Sequence, residues 1–343
     1  MEIGISTFVE TTPINGVTIS HDKRIRQIIE EAKLADEVGL DIYAVGEHHR
    51  ADFAASNPAT ILAAIAAVTK NIRLTSAVTV LSSNDPIRVF QEFATVDAIS
   101  NGRAEIMVGR GSFTESFPLF GYSLRDYNTL FDEKLELLLK IAKNNREVNF
   151  EGGKHTHKIN GLGVYPSPVQ NPLPIHIGSG GNPESVGRAA VLGLPLVLAI
   201  IGGSPLHFAP LTALYKKLYE EEGHDMAKLK ISSHSHGFVW DDTDKAAELF
   251  FPSTKLVMSQ IGKERGWAPY TRDTFDAART MQGALYVGDS DYVAEKIIYL
   301  NKNVGIDRFY MHLPLGTMPH DEVMHSIELL GKKVAPKVRA AAT

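Results

Sequence analysis

Apolar residues recur along this chain in two alternating rhythms. Short runs at Ile3–Phe8, Asp41–Gly46, Ile72–Leu81 and Ala104–Val108 are rich in the apolar and β-branched residues of buried strands. Between them the apolar positions fall three and four apart. Ile25, Ile28, Ile29, Ala32, Ala35 and Val38 share one helical face, which Gly39 closes. Pro58 opens an Ala-rich helix reaching Thr69, and Pro86 opens another reaching Ser100, stopped by Asn101-Gly102. A longer helix is predicted around Asp126–Asn144. The alternation continues with strands at Pro174–Ile177, Pro195–Ile201, Lys230–Val239 and Asp307–His312. Helices near Pro183–Leu192, Leu206–Glu222, Ser290–Asn303 and His320–Val334 lie between or after them.

Eight strands alternating with helices, without an obvious linker, predict an α/β chain folded as one (β/α)8 TIM barrel, residues 1–343. Two stretches break the repeat. Residues 148–168 are Gly-rich with short alternating runs and read as a hairpin inserted before the fifth strand. Residues 251–283, with Pro252, Pro269 and Trp267, read as a longer insertion or lid after the seventh.

Composition narrows the class of function. With a net charge of −5 and no Lys/Arg-rich run, the chain lacks a nucleic-acid footprint. Zero cysteines exclude disulfides, zinc–thiolate sites and iron–sulfur clusters, and agree with a reducing cytoplasm. The start, Met1 to Phe8, enters a strand without a signal-peptide pattern, and no apolar segment is long enough to span a membrane. The expectation is a cytoplasmic protein.

Chemistry collects where the predicted strands end. Those ends carry Glu47-His48-His49, Ser82-Ser-Asn-Asp85, Gly109-Arg-Gly-Ser112, Gly178-Ser-Gly-Gly-Asn182, Gly202-Gly-Ser204, His234-Ser-His236 and His312. In a barrel, that rim is where active sites form, so an enzyme is expected. Arg110 offers a planar fork of donors between two glycines. The Gly180–Ser185 loop precedes a helix whose free N–H groups suit a phosphate. It is not a Rossmann fingerprint, because Pro183 stands where the third glycine belongs. Alternation along Asp41–His49 turns Ala44, Gly46 and His48 inward and Tyr43, Val45, Glu47 and His49 the other way. His234 and His236 share a face at a metal-ligand spacing, which leaves a metal-dependent hydrolase as a competing reading. The helix Ala59–Val68 is apolar on nearly every face and calls for cover beyond its own barrel, which a two-fold homodimer contact supplies.

In order and spacing, several motifs resemble the luciferase-like flavin-dependent monooxygenases, which are (β/α)8 barrels that bind FMN. They are Val38–His49, Asn57-Pro58, Asn84–Arg88, Asn101-Gly-Arg103, Gly109–Phe113 and Gly178–Ser185. The resemblance implies that His48 stands near the flavin as the catalytic histidine. It implies that Arg110, with the backbone near Ser112, contacts the FMN phosphate, and that Gly180, Gly181, Asn182 and Ser185 complete that site. Ala77-Val78 falls where family members carry a non-prolyl cis peptide beneath the isoalloxazine ring. Reduced FMN from a separate NAD(P)H-dependent flavin reductase, O2, a small organic substrate and a homodimer are also implied. The chain departs from the bacterial luciferase α chain at Gly181 and Ser112 and lacks the family's reactive cysteine, so light emission and an aldehyde substrate are not carried over. On the same fold the competing readings are a deazaflavin-dependent dehydrogenase and a flavin-binding protein without catalysis.

Overall fold

The computed structural model describes residues 1–13 and 18–341. Eight strands form the barrel: β1 (Glu2–Thr7), β2 (Ile42–Val45), β3 (Arg73–Ser76), β4 (Ala104–Gly109), β5 (Ile175–Ser179), β6 (Leu196–Ala199), β7 (Ile231–Trp240) and β8 (Arg308–His312). Each pairs in parallel with its successor. The sheet closes when β8 pairs with β1, from Glu2 opposite Arg308 to Ser6 opposite His312. Helices connect the strands, so this is the expected (β/α)8 architecture.

Alternation sorts the side chains of β2 into two layers. Ile42 and Ala44 join Ala77, Met107, Val197 and Tyr310 in a small cluster inside the barrel. Tyr43 and Val45 belong to the larger core between strands and helices. The end of the barrel away from the chemistry is plugged by charge. Arg308 donates to Glu105 at 2.6 Å and to Glu2 at 2.7 Å, and Arg73 donates to Glu105 at 2.5 Å. That accounts for the one acidic residue in the apolar run of β4, since a buried carboxylate is stable only when paired. The Asn101-Gly-Arg103 motif is also architectural. Asn101 ends its helix in the left-handed region, and Arg103 donates to the carbonyls of Ile72, Ser100, Ala66 and Thr69.

Three elements differ from the sequence expectation. The third strand is not continuous over Ile72–Leu81. It ends at Ser76 and resumes as a two-residue strand, Thr79–Val80, with a cis peptide at Ala77–Val78 between the pieces. The 251–283 stretch is mostly helical. A 23-residue helix, Thr243–Arg265, buries Ala246, Ala247, Phe250, Ser253, Thr254 and Val257 at helical spacing and runs straight through Pro252. A second helix follows at Arg272–Arg279. Pro252 is overridden here by an apolar face that packs on the barrel, whereas Pro269 stays in the loop between the two helices. Finally, Tyr286–Asp289 forms an extra strand beside the C-terminal half of β7. The 148–168 insertion contains the expected hairpin, Val148–Phe150 against Ile159–Leu162.

Candidate active site

The C-terminal strand ends open into a cavity of about 640 Å3. Of the residues singled out from the sequence, His48, Ala77, Val78, Arg110, Ser112, Gly180, Asn182 and Ser185 all line it, and Gly181 does not. Gly181 instead holds φ at +96°, a conformation L side chains rarely adopt, and turns the loop toward its helix.

One side of the cavity is built for an anion. Arg110, at the end of β4, donates from Nη2 to Ser185 Oγ at 2.9 Å and from Nη1 to Asn128 Oδ1 at 2.7 Å. Its guanidinium lies 5.3 Å from the centroid of the Tyr127 ring, and the Tyr127 hydroxyl donates to the Gly111 carbonyl. Asn182 caps the helix Pro183–Val191 by accepting from the Glu184 N–H at 2.8 Å. Pro183 has no N–H, Glu184 donates to Asn182 Oδ1 and Val186 to the Asn182 carbonyl, which leaves the Ser185 N–H beside the Ser185 hydroxyl and the Arg110 fork. Val78 sits beside this rim. A Cβ at Gly109 or Gly178 would meet the Val78 side chain at 2.7 Å, so only glycine lets the three strand ends meet.

The opposite side is aromatic and histidine-rich. His48 is buried, with ring centroids 4.3 Å from Phe53, 4.7 Å from Phe8 and 4.9 Å from Phe113. Its Nδ1 stands 3.9 Å from Glu115 Oε1, beyond hydrogen-bond reach, and has no other partner among the described residues. Burial raises the Glu115 carboxyl, but His48 and backbone N–H groups together hold it below its ordinary value. His49 also reaches the cavity, because regular alternation ends with β2 at Val45. Its Nε2 is committed to Glu47 Oε1 at 2.8 Å. Glu47 in turn accepts from the Val80 N–H at 2.8 Å and from the Asn84 side chain at 3.0 Å, tying the split third strand to the rim.

Deeper in the cavity lies a cluster that the sequence reading passed over in part. Glu10, only 2% exposed, meets His312 Nε2 at 2.7 Å. Burial pushes Glu10 up to about 7 and His312 down to about 3. His234 and His236 flank His312, with ring centroids 5.2 and 5.0 Å from it. The signal for Glu10 was available as an acid directly after the apolar end of the first strand, Phe8-Val9. Among the described residues, no three His, Asp or Glu side chains are grouped as a metal ion requires. The mouth is roofed by the long helix and its continuation, through Val257, Ile261, Arg265 and Trp267.

The donor set fits a flavin phosphate at Arg110, and His48, His234 and His236 present buried ring nitrogens without partners among the described residues. No helix of the described residues is long and apolar enough to cross a membrane.

Comparison with known proteins agrees with the fold. An uncharacterised protein of Sinorhizobium fredii, y4vJ, is 26% identical over 92% of each chain. Monooxygenase RslO1 from Streptomyces bottropensis superposes with a TM-score of 0.84 at 22% identity, covering 98% of this chain and 99% of that one. The oxygenating constituent of 3,6-diketocamphane monooxygenase from Pseudomonas putida, solved with FMN, gives 0.78 at 22% identity over 98% of each chain. An F420-dependent secondary alcohol dehydrogenase gives 0.77 at 20% identity over 98% of this chain and 99% of that one. The family model for luciferase-like monooxygenases matches residues 1–308. The chain therefore belongs to the luciferase-like monooxygenase family and is an oxidoreductase that works with O2.

Proposed function

We propose that this protein is the oxygenase component of a two-component system that binds FMN reduced by a separate NAD(P)H-dependent reductase and oxygenates a small organic substrate. The observation that carries the reading is the anion seat of Arg110 and Ser185 at one end of a cavity whose other end is aromatic and histidine-lined. Reduced flavin, when bound, supplies the electrons with which O2 is used.

The chain's own residues supply the rest. Arg110, Ser185, Asn182, the backbone near Ser112 and the turn at Gly180 and Gly181 hold the phosphate. Ala77 and Val78, between the phosphate seat and the histidines, form the surface on which the ring system rests. His48, with an uncommitted Nδ1, is the catalytic histidine that holds or moves a proton at the reacting centre. Phe8, Phe53, Phe113 and the helix Thr243–Arg265 exclude water from it. The working unit is a homodimer, and dependence on NAD(P)H-reduced flavin suits a cytoplasmic setting. The test is a fluorescence titration of FMN and of a deazaflavin, oxidised and reduced, followed by oxygen consumption with reduced FMN. Tight binding of FMN alone supports the reading; preference for the deazaflavin, without oxygen uptake, replaces it with a dehydrogenase.

A further inference from the structure

Two buried hydrogen-bonding atoms of the cavity have no partner among the described residues. His234 is 7% exposed and His236 8%, both line the cavity, and neither His234 Nε2 nor His236 Nδ1 has a partner among the described residues. Buried polar atoms are normally satisfied, and each one that is not needs a reason. The third histidine of the cluster does not need one. His312 lies between the other two, and its Nε2 is taken up by Glu10 at 2.7 Å.

We infer that His234 and His236 are the polar grip of the substrate pocket, and that the substrate is an uncharged, largely apolar molecule carrying a carbonyl or hydroxyl oxygen. This deepens the monooxygenase reading and rests on it for the meaning of the word substrate.

Three features select that class. First, both imidazoles are electrically neutral, because burial drives His234 down to about 3 and His236 well below its ordinary value, with His312 beside them adding to the effect. A neutral imidazole offers one N–H and one lone pair, which suits a carbonyl or hydroxyl oxygen. Second, no hydrogen bond or ion pair joins a cation to either histidine among the described residues. Of the cavity's arginines, Arg110 is engaged with Ser185 and Asn128, Arg50 with Glu264 at 2.8 Å, and Arg265 lies over the rings of Phe113 and Trp267, so a carboxylate placed against the histidines would be buried without a counter-charge and close to Glu10. Third, the surroundings are ring faces. Phe8 stacks on His234 at 5.8 Å and 16° and also touches His48 and His312, so the body of the molecule meets apolar surface while its oxygen meets the two nitrogens.

A size-matched set of probes tests this by calorimetry on the full chain, with and without oxidised FMN: acetophenone, 1-phenylethanol, ethylbenzene, benzoate and benzylamine. Acetophenone and 1-phenylethanol should bind, and the other three at least about tenfold more weakly, since a site built to bond an oxygen rejects the analogue lacking it. Replacing the nitrogens with methyl groups, in His234→Leu with His236→Leu, should reverse the preference toward ethylbenzene. His234→Gln and His236→Asn, which keep an amide nitrogen near each lost ring nitrogen, should restore it in part. Benzoate or benzylamine binding as tightly as acetophenone, no measurable acetophenone binding, or an unchanged preference in the leucine variants would overturn the inference. Because the probe comparison is also made on wild-type protein, a variant that fails to fold leaves it decided. Flavin fluorescence recorded in parallel reports FMN binding separately, so loss of the cofactor reading and loss of the substrate reading are told apart.

Discussion

Arg110 Nη2 lies 2.9 Å from Ser185 Oγ, joining the end of the fourth barrel strand to the first turn of the helix that follows the fifth. The contact places a cation and a hydroxyl side by side at a helix N-terminus, where each alone would be commonplace. Arg110→Ala should weaken FMN binding by about 1.5–3 kcal/mol, the range for a hydrogen bond to a charged group. Ser185→Ala should weaken it by about 0.5–1.5 kcal/mol, as for a neutral donor. Fluorescence titration decides; unchanged affinity in Arg110→Ala puts the phosphate elsewhere.

A second prediction concerns stability away from the cavity. Lys296 is 1% exposed, and its ammonium donates to the carbonyls of Thr280 at 2.6 Å, Leu285 at 2.7 Å and Arg279 at 3.2 Å. It ties the end of the helix Arg272–Arg279 to the helix Ser290–Val304. Lys296→Met fills the space but abandons buried carbonyls, so unfolding free energy should fall by about 2–4 kcal/mol. A denaturant midpoint equal to wild type would show that water replaces the ammonium.

The strand ends were legible in the sequence because a parallel barrel collects them on one rim whatever the packing details. Arg110 and Ser185, 75 positions apart, could be joined on that basis alone. What the sequence hid depends on tertiary contacts. Pro252 looks like a breaker until the apolar face of its helix is seen to pack on the barrel. Alternation along the second strand could not separate the two histidines, because the strand stops at Val45 and both His48 and His49 line the cavity. Glu10 carried little signal, since an acid after an apolar run is ordinarily solvated and only its pairing with His312 makes it a buried group.

The helix Pro58–Val68 leaves Thr60, Ala64, Ala67 and Val68 exposed, with Val68 at 46%. Its neighbour Pro86–Ser100 leaves Thr95 and Ile99 exposed, with Ile99 at 46%. Small side chains on two adjacent helices permit close two-fold packing. Light scattering at micromolar concentration should give the mass of a dimer, and Ala64→Arg with Ala67→Glu should halve it. A monomeric wild type refutes the expectation.

Glu10 gives a pH signature with a definite sign. Burial raises its carboxyl from 4.5 to about 7, so between those values the folded state holds a proton that the unfolded state has released. Its contribution to stability is therefore complete below pH 4.5 and is lost as pH rises toward 7. Glu10→Gln cannot titrate. Relative to wild type, the variant should gain up to about 3 kcal/mol between the two ends of that window. Chemical denaturation of both proteins at pH 4.5, 6 and 8 measures the difference; a pH-independent gap would mean that His312 keeps Glu10 ionised throughout.

The adjacent histidines that follow the second strand should separate cleanly by function. His49 is held by Glu47, which also anchors Val80 and Asn84, so its removal loosens the rim without taking away a free ring nitrogen. His48 is fixed by packing against Phe8, Phe53 and Phe113 and keeps Nδ1 uncommitted. His48→Ala should leave FMN affinity within about twofold while lowering turnover by about 10²–10⁴-fold, the usual contribution of a positioned proton-transfer group. His49→Ala should cost about 1 kcal/mol of stability, typical of one hydrogen bond, and lower turnover far less. Thermal melts, FMN titration and oxygen uptake on the same three proteins make the comparison. If His49→Ala abolishes turnover while His48→Ala retains it, the proton-handling role belongs to the Glu47–His49 pair instead.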